Sequence, residues 1–274
     1  MTTLPLPRPW GQLPASAARD VIGVFTDIDD TITTAGALTA DARSALEQLW
    51  AAGMPVIAVT GRPLGWSAAF MQPGPDAWPV AAIVAENGAV AVFQEAGALV
   101  TEFAQAADVR ERNVLRLQHA AERVLCEVPG STLARDIAGR ATDIAVDHAE
   151  HAHLSASQVD AVVAVMRAEG MNATVSSIHI NGWFGAHTKL TGAEWMLRRL
   201  YGRALHAEYQ RWVYVGDSTN DQAMFGHFPL SVGVANLADF AAQLTVWPSY
   251  LTLGARGAGF AEVARTLLAA RAPR

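Results

Sequence analysis

Short, uninterrupted apolar runs that alternate with helical segments constrain the fold of this chain most strongly. The run at residues 21–25 is followed by a helical segment at 40–52, whose apolar side chains share one face. Two further runs, at 55–59 and 81–85, flank a helix expected near 64–71. Strands that are apolar on both faces are typical of a parallel sheet covered by helices. The sequence therefore predicts an α/β fold with a Rossmann-like, doubly wound parallel sheet.

The middle of the chain departs from this alternation. Residues 108–126 have the periodicity of an amphipathic helix, and residues 141–146 resemble a strand. Ser155 and Gln158 have the spacing of a capping box, which predicts a helix after Ser155. Residues 173–180 then alternate as one strand. This mixture predicts a small α+β domain that is inserted into the α/β core.

The alternating pattern returns near residue 188 and continues towards the end of the chain. A helix is predicted at 189–201 and a closing helix at 261–270, with apolar strands at 211–215 and 230–234 between them. The strand at 230–234 is expected to be the last of the core. We expect an N-terminal tail at 1–18, a discontinuous core domain at 19–103 and 184–274, and an inserted cap domain at 104–183.

The composition excludes several classes of protein. Hydrophobic residues make up 51% of the chain and charged residues 17%, which argues against disorder. With 20 basic and 26 acidic residues, the chain lacks the positive surplus that nucleic-acid binding needs. No stretch is apolar enough for a membrane span, and the proline-containing start lacks the apolar segment of a secretory signal. We therefore expect a cytoplasmic protein without nucleic-acid or membrane partners, whose oligomeric state is not indicated.

Two carboxylates follow directly on the first buried strand. Asp27 and Asp29 are two residues apart, so in an extended chain their side chains point the same way. Ligands of open α/β folds bind beyond the carboxyl ends of the strands, which is where this pair is expected. The alternative interpretation is an acidic loop that caps the next segment.

A second acidic loop follows the apolar strand at 211–215. It contributes Asp217 and Asp221, which are expected at the same edge of the sheet as the first pair. Several carboxylates around one crevice favour a hard divalent cation, and Mg²⁺ is the ion that we expect. For this loop alone, the alternative is a turn followed by a helix N-cap.

Two further features are typical of an oxyanion site. Thr60-Gly61-Arg62 ends the second core strand, where a hydroxyl and backbone N–H groups can cradle an anion. Nineteen of the 20 basic residues are arginine, so Lys189 is the only lysine. A site that needs a compact ammonium group would select lysine over arginine. The alternatives are an ordinary turn and a surface lysine that survived by chance.

These four segments, in this order, resemble the haloacid dehalogenase (HAD) superfamily of Mg²⁺-dependent phosphohydrolases. The insertion lies between the second and third motifs, as in the IIB cap subgroup, which includes sugar-phosphate phosphatases and phosphomannomutases. Asn87-Gly88 also resembles the Asn-Gly hairpin of that subgroup. The matching motifs are Asp27-x-Asp29-x-Thr31, Thr60-Gly61-Arg62, Lys189 and Gly216-Asp217-x-x-Asn220-Asp221.

The resemblance implies a role for each motif residue. Asp27 would be the nucleophile that forms an aspartyl-phosphate, and Asp29 would protonate the leaving oxygen and then activate water. Thr60 and Lys189 would hold the phosphoryl oxygens. The implied Mg²⁺ site comprises Asp27, the backbone carbonyl of Asp29 and Asp217, with Asp221 acting through a water molecule or from behind these ligands. The implied phosphate or substrate contacts in the core are Thr31, Gly61, Arg62, Asn87 and Asn220.

The cap offers two further groups of polar residues. His179, Asn181 and Trp183 lie on the segment that returns to the core, and a polar face with an aromatic ring suits sugar recognition. The alternative is a packed strand edge and hinge. The tract at 147–153 contains His148, His151 and His153, but its spacing favours a solvated loop over a metal site.

The resemblance predicts a Mg²⁺-dependent phosphomonoesterase that acts on a small phosphorylated metabolite, with a sugar or polyol phosphate favoured. The expected reaction passes through an aspartyl-phosphate intermediate. One alternative is a phosphotransferase or mutase on the same fold. Another is a non-catalytic phospho-acceptor module, although such modules are usually shorter and lack a cap.

Overall fold

The computed structural model describes residues 6–271, in which the strands form a nine-stranded, a four-stranded and a two-stranded sheet. The strands are β1 (Arg8–Pro9), β2 (Gly23–Thr26), β3 (Thr33–Thr34), β4 (Ala37–Leu38), β5 (Val56–Val59), β6 (Ala82–Ala85), β7 (Val90–Glu95), β8 (Ala98–Phe103), β9 (Thr132–Leu133), β10 (Asp143–Asp147), β11 (Asn172–Val175), β12 (His179–Trp183), β13 (Trp212–Gly216), β14 (Leu230–Gly233) and β15 (Tyr250–Leu251). The helices are α1 (Ala15–Asp20), α2 (Ala40–Ala51), α3 (Leu64–Ala69), α4 (Ala107–Glu127), α5 (Ala156–Ala168), α6 (Lys189–Tyr201), α7 (Gln222–His227) and α8 (Arg256–Ala269).

The large sheet confirms the predicted α/β core. Its strand order is β1-β15-β14-β13-β2-β5-β6-β7-β8, and the strands from β1 to β6 in this order are parallel. β7 and β8 extend the sheet as antiparallel hairpins after the Asn87-Gly88 turn. The order places β13, β2 and β5 side by side, so the loops that follow them meet at one edge of the sheet.

Both faces of this sheet are covered, because consecutive residues of each central strand are apolar. Val24 belongs to the hydrophobic cluster that also contains Leu46 of α2 and Phe260 of α8. Phe25, the next residue, belongs to the opposite cluster, which contains Met196 of α6. This alternation of sides explains why the apolar runs are uninterrupted.

The inserted segment forms the four-stranded antiparallel sheet, with the order β11-β12-β10-β9. Its own hydrophobic cluster joins Leu117 of α4, Val162 of α5 and Ile180 of β12. The predicted α+β character of the insertion is therefore confirmed. The domain boundaries at 104 and 183 stay a prediction.

The expectation of one strand at residues 173–180 is wrong, because this segment is a hairpin. β11 and β12 are antiparallel neighbours, with Val175 opposite Ile180. Between them, the Ser176 hydroxyl accepts hydrogen bonds from the backbone N–H groups of Ile178 and His179, at 3.3 and 3.0 Å. A serine that bonds to the following backbone favours a turn over a continuous strand.

The predicted tail at 1–18 is also wrong for the residues that are described, and residues 1–5 lie outside them. Arg8 and Pro9 form β1, which pairs with β15 at the edge of the large sheet. Trp10 is fully buried, and its ring meets that of Tyr250 edge-to-face at 5.4 Å. A large aromatic side chain fastens this proline-rich segment to the core, whereas proline content alone predicted loose packing.

The strand at 230–234 is not the last of the core, because β15 follows it and pairs with β14. β15 has only two residues, which is too short to give a hydrophobic pattern in the sequence. None of the helices in the described part of the chain is both long and apolar enough to cross a membrane.

Candidate active site

Three buried aspartates meet at the edge of the sheet. Asp27 follows β2, Asp217 follows β13, and Asp221 lies in a short 3₁₀ turn at Thr219–Asp221. One carboxylate oxygen from each lies within 4.8 Å of the other two. Because β2 and β13 are parallel neighbours, the sheet itself brings the two acidic loops together.

Lys189, the only lysine of the sequence, contacts the same cluster. The Nζ atom of Lys189 lies 2.7 Å from Asp27 Oδ2 and 2.8 Å from Asp221 Oδ1, and it donates to Asn220 Oδ1 at 3.2 Å. Lys189 is the first residue of α6, which begins with a capping box between Thr188 and Thr191. Although burial opposes it, Asp221 and Asp27 hold the pKa of Lys189 above its usual value.

The negative charges of this cluster exceed the positive charge. Burial raises the pKa of Asp27 to about 7, and burial together with Asp27 and Asp221 raises the pKa of Asp217 well above its usual value. Thr31 donates its hydroxyl to Asp217 Oδ1 at 3.2 Å, but the buried Asp217 Oδ2 has no partner among the described residues. A buried, unpaired carboxylate oxygen beside a second carboxylate fits a hard divalent cation.

Asp221 differs from the other two aspartates because its oxygens are already engaged. Oδ1 accepts from Lys189 and from the hydroxyl of Tyr214. Oδ2 accepts from the backbone N–H groups of Asp217 and Ser218, at 2.9 and 3.2 Å. Asp221 is therefore suited to orient Lys189 and the loop, and its predicted place next to the metal stays a prediction.

The turn after β5 places Thr60 and Gly61 against the cluster. The Thr60 hydroxyl oxygen accepts the N–H of Arg62 at 3.0 Å, and in the described structure the N–H of Gly61 has no partner. Arg62 itself points elsewhere: its guanidinium forms two bonds of 2.9 Å to the carboxylate of Asp29. The side chain of Asp29 lies outside the acidic group, so its predicted metal contact rests on its backbone carbonyl alone.

Residues 24–128 match the family model of the haloacid dehalogenase-like hydrolases. The order of the four motifs and the capped α/β fold agree with this match. This match covers less than half of the chain, and over these residues the chain is similar to the haloacid dehalogenase-like hydrolases. A search of curated proteins by sequence finds no match.

Several solved structures share the fold of this chain at low sequence identity. The sucrose-phosphatase from Synechocystis, solved in complex with sucrose and phosphate, is 14% identical with a TM-score of 0.62; the alignment covers 91% of this chain and 98% of that one. The C-terminal domain of the C. albicans trehalose-6-phosphate phosphatase is 13% identical with a TM-score of 0.65, and 98% and 99% are covered. A haloacid dehalogenase-like hydrolase from Bacteroides thetaiotaomicron is 14% identical with a TM-score of 0.57, and 89% and 98% are covered.

The cap brings three of the predicted contact residues together on one face of β12. His179 lies 3.0 Å from a carboxylate oxygen of Glu150, and Asn181 donates to Asp143 at 3.0 Å. The indole N–H of Trp183 donates to a backbone carbonyl at 2.9 Å. All three side chains are buried and bonded within the protein, which matches the alternative of a packed strand edge and hinge. Their predicted contact with substrate stays a prediction.

The expectation of a solvated loop at 147–153 is wrong for its first half. Asp147 is buried and accepts the N–H groups of Glu150 and His151, at 2.9 and 3.0 Å. His148 lies 2.9 Å from a backbone carbonyl, and burial lowers its pKa. His151 and His153 are exposed, as expected. The bond to His179 and the contact with Arg62 lower the pKa of Glu150 to about 2, so the loop carries a fixed negative charge against the core.

The residues that fasten the cap to the core were not predicted from the sequence. Glu86 is fully buried, and its carboxylate accepts the backbone N–H groups of Leu64, Ala141 and Thr142. It also accepts the hydroxyl of Thr142 at 2.5 Å. A carboxylate that directly precedes the Asn87-Gly88 turn was the available signal. Asn87 is buried beside it, and its side-chain nitrogen has no partner among the described residues.

Two cavities adjoin the acid pair. The space enclosed between Asp27, Thr60, Arg62 and the β11–β12 turn measures about 10 Å³, which is room for about one water molecule. A second, polar cavity of about 370 Å³ also borders Asp29 and opens between the cap and the β3–β4 hairpin. Its charged lining comprises Asp29, Asp30, Arg62, Glu150, His151 and Arg256.

Proposed function

We propose that this hydrolase is a Mg²⁺-dependent phosphomonoesterase that acts on a small phosphorylated metabolite through an aspartyl-phosphate. The observation that carries the proposal is the buried cluster of Asp27, Lys189 and Asp217 beside the Thr60-Gly61 turn. One ammonium group, one hydroxyl and one free backbone N–H surround a carboxylate, and an unpaired carboxylate oxygen lies next to it. This set of groups suits phosphoryl transfer, in which charge on the phosphoryl oxygens must be balanced.

Asp27 and Asp217 would hold the metal ion, since both are buried and carry a raised pKa without it. When bound, Mg²⁺ supplies positive charge to the phosphoryl oxygens and keeps both carboxylates ionised. Only the ionised form of Asp27 can attack phosphorus. The positive charge of the metal ion would therefore also favour the reactive form of the nucleophile. Lys189 keeps Asp27 oriented until the substrate arrives.

The chain's own residues account for the remaining steps. Asp27 attacks the phosphorus atom, while Thr60 and Lys189 donate hydrogen bonds to the phosphoryl oxygens. Asp29 gives a proton to the leaving oxygen and later accepts one from the water that hydrolyses the aspartyl-phosphate. The two bonds from Arg62 orient the Asp29 carboxylate, and one of them must be released while that oxygen carries the proton for the leaving group.

The surroundings of Asp29 favour a sugar or polyol phosphate. A leaving group must lie next to the acid that protonates it, and the cavity of about 370 Å³ borders Asp29. Its lining is rich in carboxylate and guanidinium groups, which bind hydroxyl groups well. The sucrose-phosphatase and trehalose-6-phosphate phosphatase with the same fold add support for this class. A cytoplasmic location remains part of the proposal.

The test is a screen of sugar, polyol and nucleotide monophosphates for phosphate release, with Mg²⁺ and with EDTA. We expect Mg²⁺-dependent release that is highest with a sugar or polyol phosphate and is lost in Asp27→Asn. Asp76→Asn, which changes an exposed aspartate, is the matched control and should retain activity. Transfer of phosphate to an added alcohol in place of water would favour the phosphotransferase. Undiminished release by Asp27→Asn would refute the assignment of the nucleophile.

A further inference from the structure

Two side chains of the cap donate hydrogen bonds to the carbonyl oxygen of Gly61, which lies in the middle of the Thr60-Gly61-Arg62 turn. Arg140 Nη1 donates to it at 3.0 Å, and Asn181 Nδ2 donates to it at 3.3 Å. Arg140 lies between the short 3₁₀ turn Ile137–Gly139 and β10, and Asn181 lies on β12. Two cap residues therefore bind one core carbonyl that is adjacent to the reacting groups.

The other polar backbone groups of this turn are bonded within the core, apart from the free N–H of Gly61. The Gly61 carbonyl is thus the one backbone acceptor of the turn that depends on the cap in the described structure. The bonds within the core run from Thr60 N–H to Val84 O at 2.8 Å, from Asn87 N–H to Thr60 O at 2.9 Å, from Glu86 N–H to Arg62 O at 3.0 Å and from Arg62 N–H to Thr60 Oγ1 at 3.0 Å.

The peptide group between Gly61 and Arg62 links the hydrogen bonds from the cap to the orientation of the reacting groups. Because a peptide is planar, fixing its carbonyl also fixes the direction of the N–H at its other end. That N–H donates to the Thr60 hydroxyl oxygen, which leaves the Thr60 proton free to point at a phosphoryl oxygen. The same peptide leads into the side chain of Arg62 that orients Asp29.

Arg140 is built as a rigid connector. Its side chain is 1% exposed, and it contacts Asp143 at 2.9 Å and Asp136 at 3.1 Å. These carboxylates balance the buried charge and leave Nη1 directed at Gly61. A lysine would keep the charge, but a single ammonium group cannot reproduce the planar fork that bonds to three partners at once.

We propose that Arg140 of the cap is a positioning residue for phosphoryl transfer, which orders the Thr60-Gly61 turn only when the cap is docked on the core. The inference rests on the proposed function and adds to it a reason for the cap to touch the phosphate site. Closure of the cap then completes the donors for the phosphoryl group, in addition to excluding water. An undocked cap leaves the Gly61 carbonyl without its partners.

The test compares Arg140→Lys with Arg135→Lys, a change of an exposed arginine in the same part of the cap. Orthovanadate, a mimic of the phosphoryl group without a leaving group, is the probe, with Mg²⁺ present. We expect Arg140→Lys to lower kcat and to raise the inhibition constant of orthovanadate, each by about tenfold, with a smaller change in KM. The control should match the wild type, and the melting temperature should report whether Arg140→Lys is folded.

Asn181→Ala provides a second route to the same carbonyl if Arg140→Lys does not fold. It should weaken orthovanadate inhibition in the same direction but by less, because its bond to Gly61 is longer. Unchanged orthovanadate inhibition in a folded Arg140→Lys or Asn181→Ala enzyme would overturn the inference and leave the phosphatase proposal intact. A wild-type protein that neither releases phosphate nor binds orthovanadate would instead refute the proposed function.

Discussion

Two buried clusters of charge in this protein are satisfied in opposite ways. In the core, one ammonium group contacts Asp27 and Asp221, and the neighbouring Asp217 Oδ2 has no partner in the described chain. At the cap interface, Glu86 accepts three backbone N–H groups and a hydroxyl, and Asp143 receives bonds from Arg140 and Asn181.

This difference in hydrogen bonding distinguishes a site that can bind an ion from an interface that only holds the cap on the core. A buried carboxylate with all of its oxygens bonded is stable as it stands, so the interface cluster needs nothing from solution. A buried carboxylate with a free oxygen is costly until a cation or a proton arrives. Charge in the interior therefore does not by itself mark a site that binds an ion; unsatisfied charge does.

The largest effect that this comparison predicts is on activity, when the unsatisfied oxygen is removed. Asp217→Asn should lower kcat by about a thousandfold or more, because the site loses a metal-binding oxygen and the negative charge that attracts the ion. In EDTA, the variant should be about 1 kcal/mol or more harder to unfold than the wild type, since a poorly paired buried charge is gone. Steady-state kinetics and urea unfolding in EDTA measure the two effects. Lower stability in EDTA would show that Asp217 is paired after all.

The same contrast predicts that Mg²⁺ stabilises the wild type more than the Asp217→Asn variant. A ligand that binds only the folded state adds about 2.7 kcal/mol when its concentration is a hundred times its dissociation constant. The wild type should therefore gain stability as Mg²⁺ is titrated, whereas Asp217→Asn should gain little over the same range. Thermal unfolding at increasing Mg²⁺ measures this. Equal gains in both proteins would place the ion away from Asp217.

The core site could be predicted from the sequence because the topology fixes it. Asp27 and Asp217 directly follow apolar strands, and parallel strands that are neighbours must release their following loops at one edge. Lys189 was recognisable because it is the only lysine. These signals are local, and the regular geometry of the sheet turns them into a site in space.

The interface cluster could not be predicted, because its pairs depend on how the cap docks. Arg62 and Glu150 are 88 positions apart, and Glu86 and Thr142 are 56 apart. In the sequence, Glu150 stands among histidines and resembles part of a solvated loop, yet it is bonded to the core. The prediction of a loosely packed tail was wrong for a related reason. Trp10 packs against Tyr250, which is far away in the sequence, and nothing near Trp10 indicates this contact.

A smaller effect, on stability, follows from the satisfied cluster. Glu86→Gln keeps the shape of the side chain but replaces an accepting oxygen by an amide that can only donate. At least one N–H of Ala141 or Thr142 then loses its acceptor in a buried place, which should lower the free energy of unfolding by about 2–3 kcal/mol. Urea unfolding in EDTA measures the loss without interference from the metal.

Glu47→Gln is the matched control for this change, because Glu47 is exposed and should be replaceable with little effect. If Glu86→Gln is as stable as Glu47→Gln, the interface does not depend on the Glu86 carboxylate, and complete hydrogen bonding does not distinguish the interface cluster from the core cluster.

The smallest effect concerns a buried group that neither cluster uses. The ring of His187 stacks on Trp183 at 5.7 Å, both of its nitrogens lack partners among the described residues, and burial lowers its pKa to about 4. The unfolded chain, with a pKa of about 6.5, binds the proton more readily, so stability falls as the pH drops from 6.5 towards 4. His187→Phe keeps the stacked ring without a titrating nitrogen. Between pH 7.5 and pH 5, this variant should lose about 1–2 kcal/mol less of its free energy of unfolding than the wild type does.

Urea unfolding at both pH values tests this, with His206→Gln as the exposed control. A loss that is equally large in His187→Phe would mean that other groups cause the acid sensitivity, and that an unpartnered imidazole at the cap–core junction costs the fold nothing.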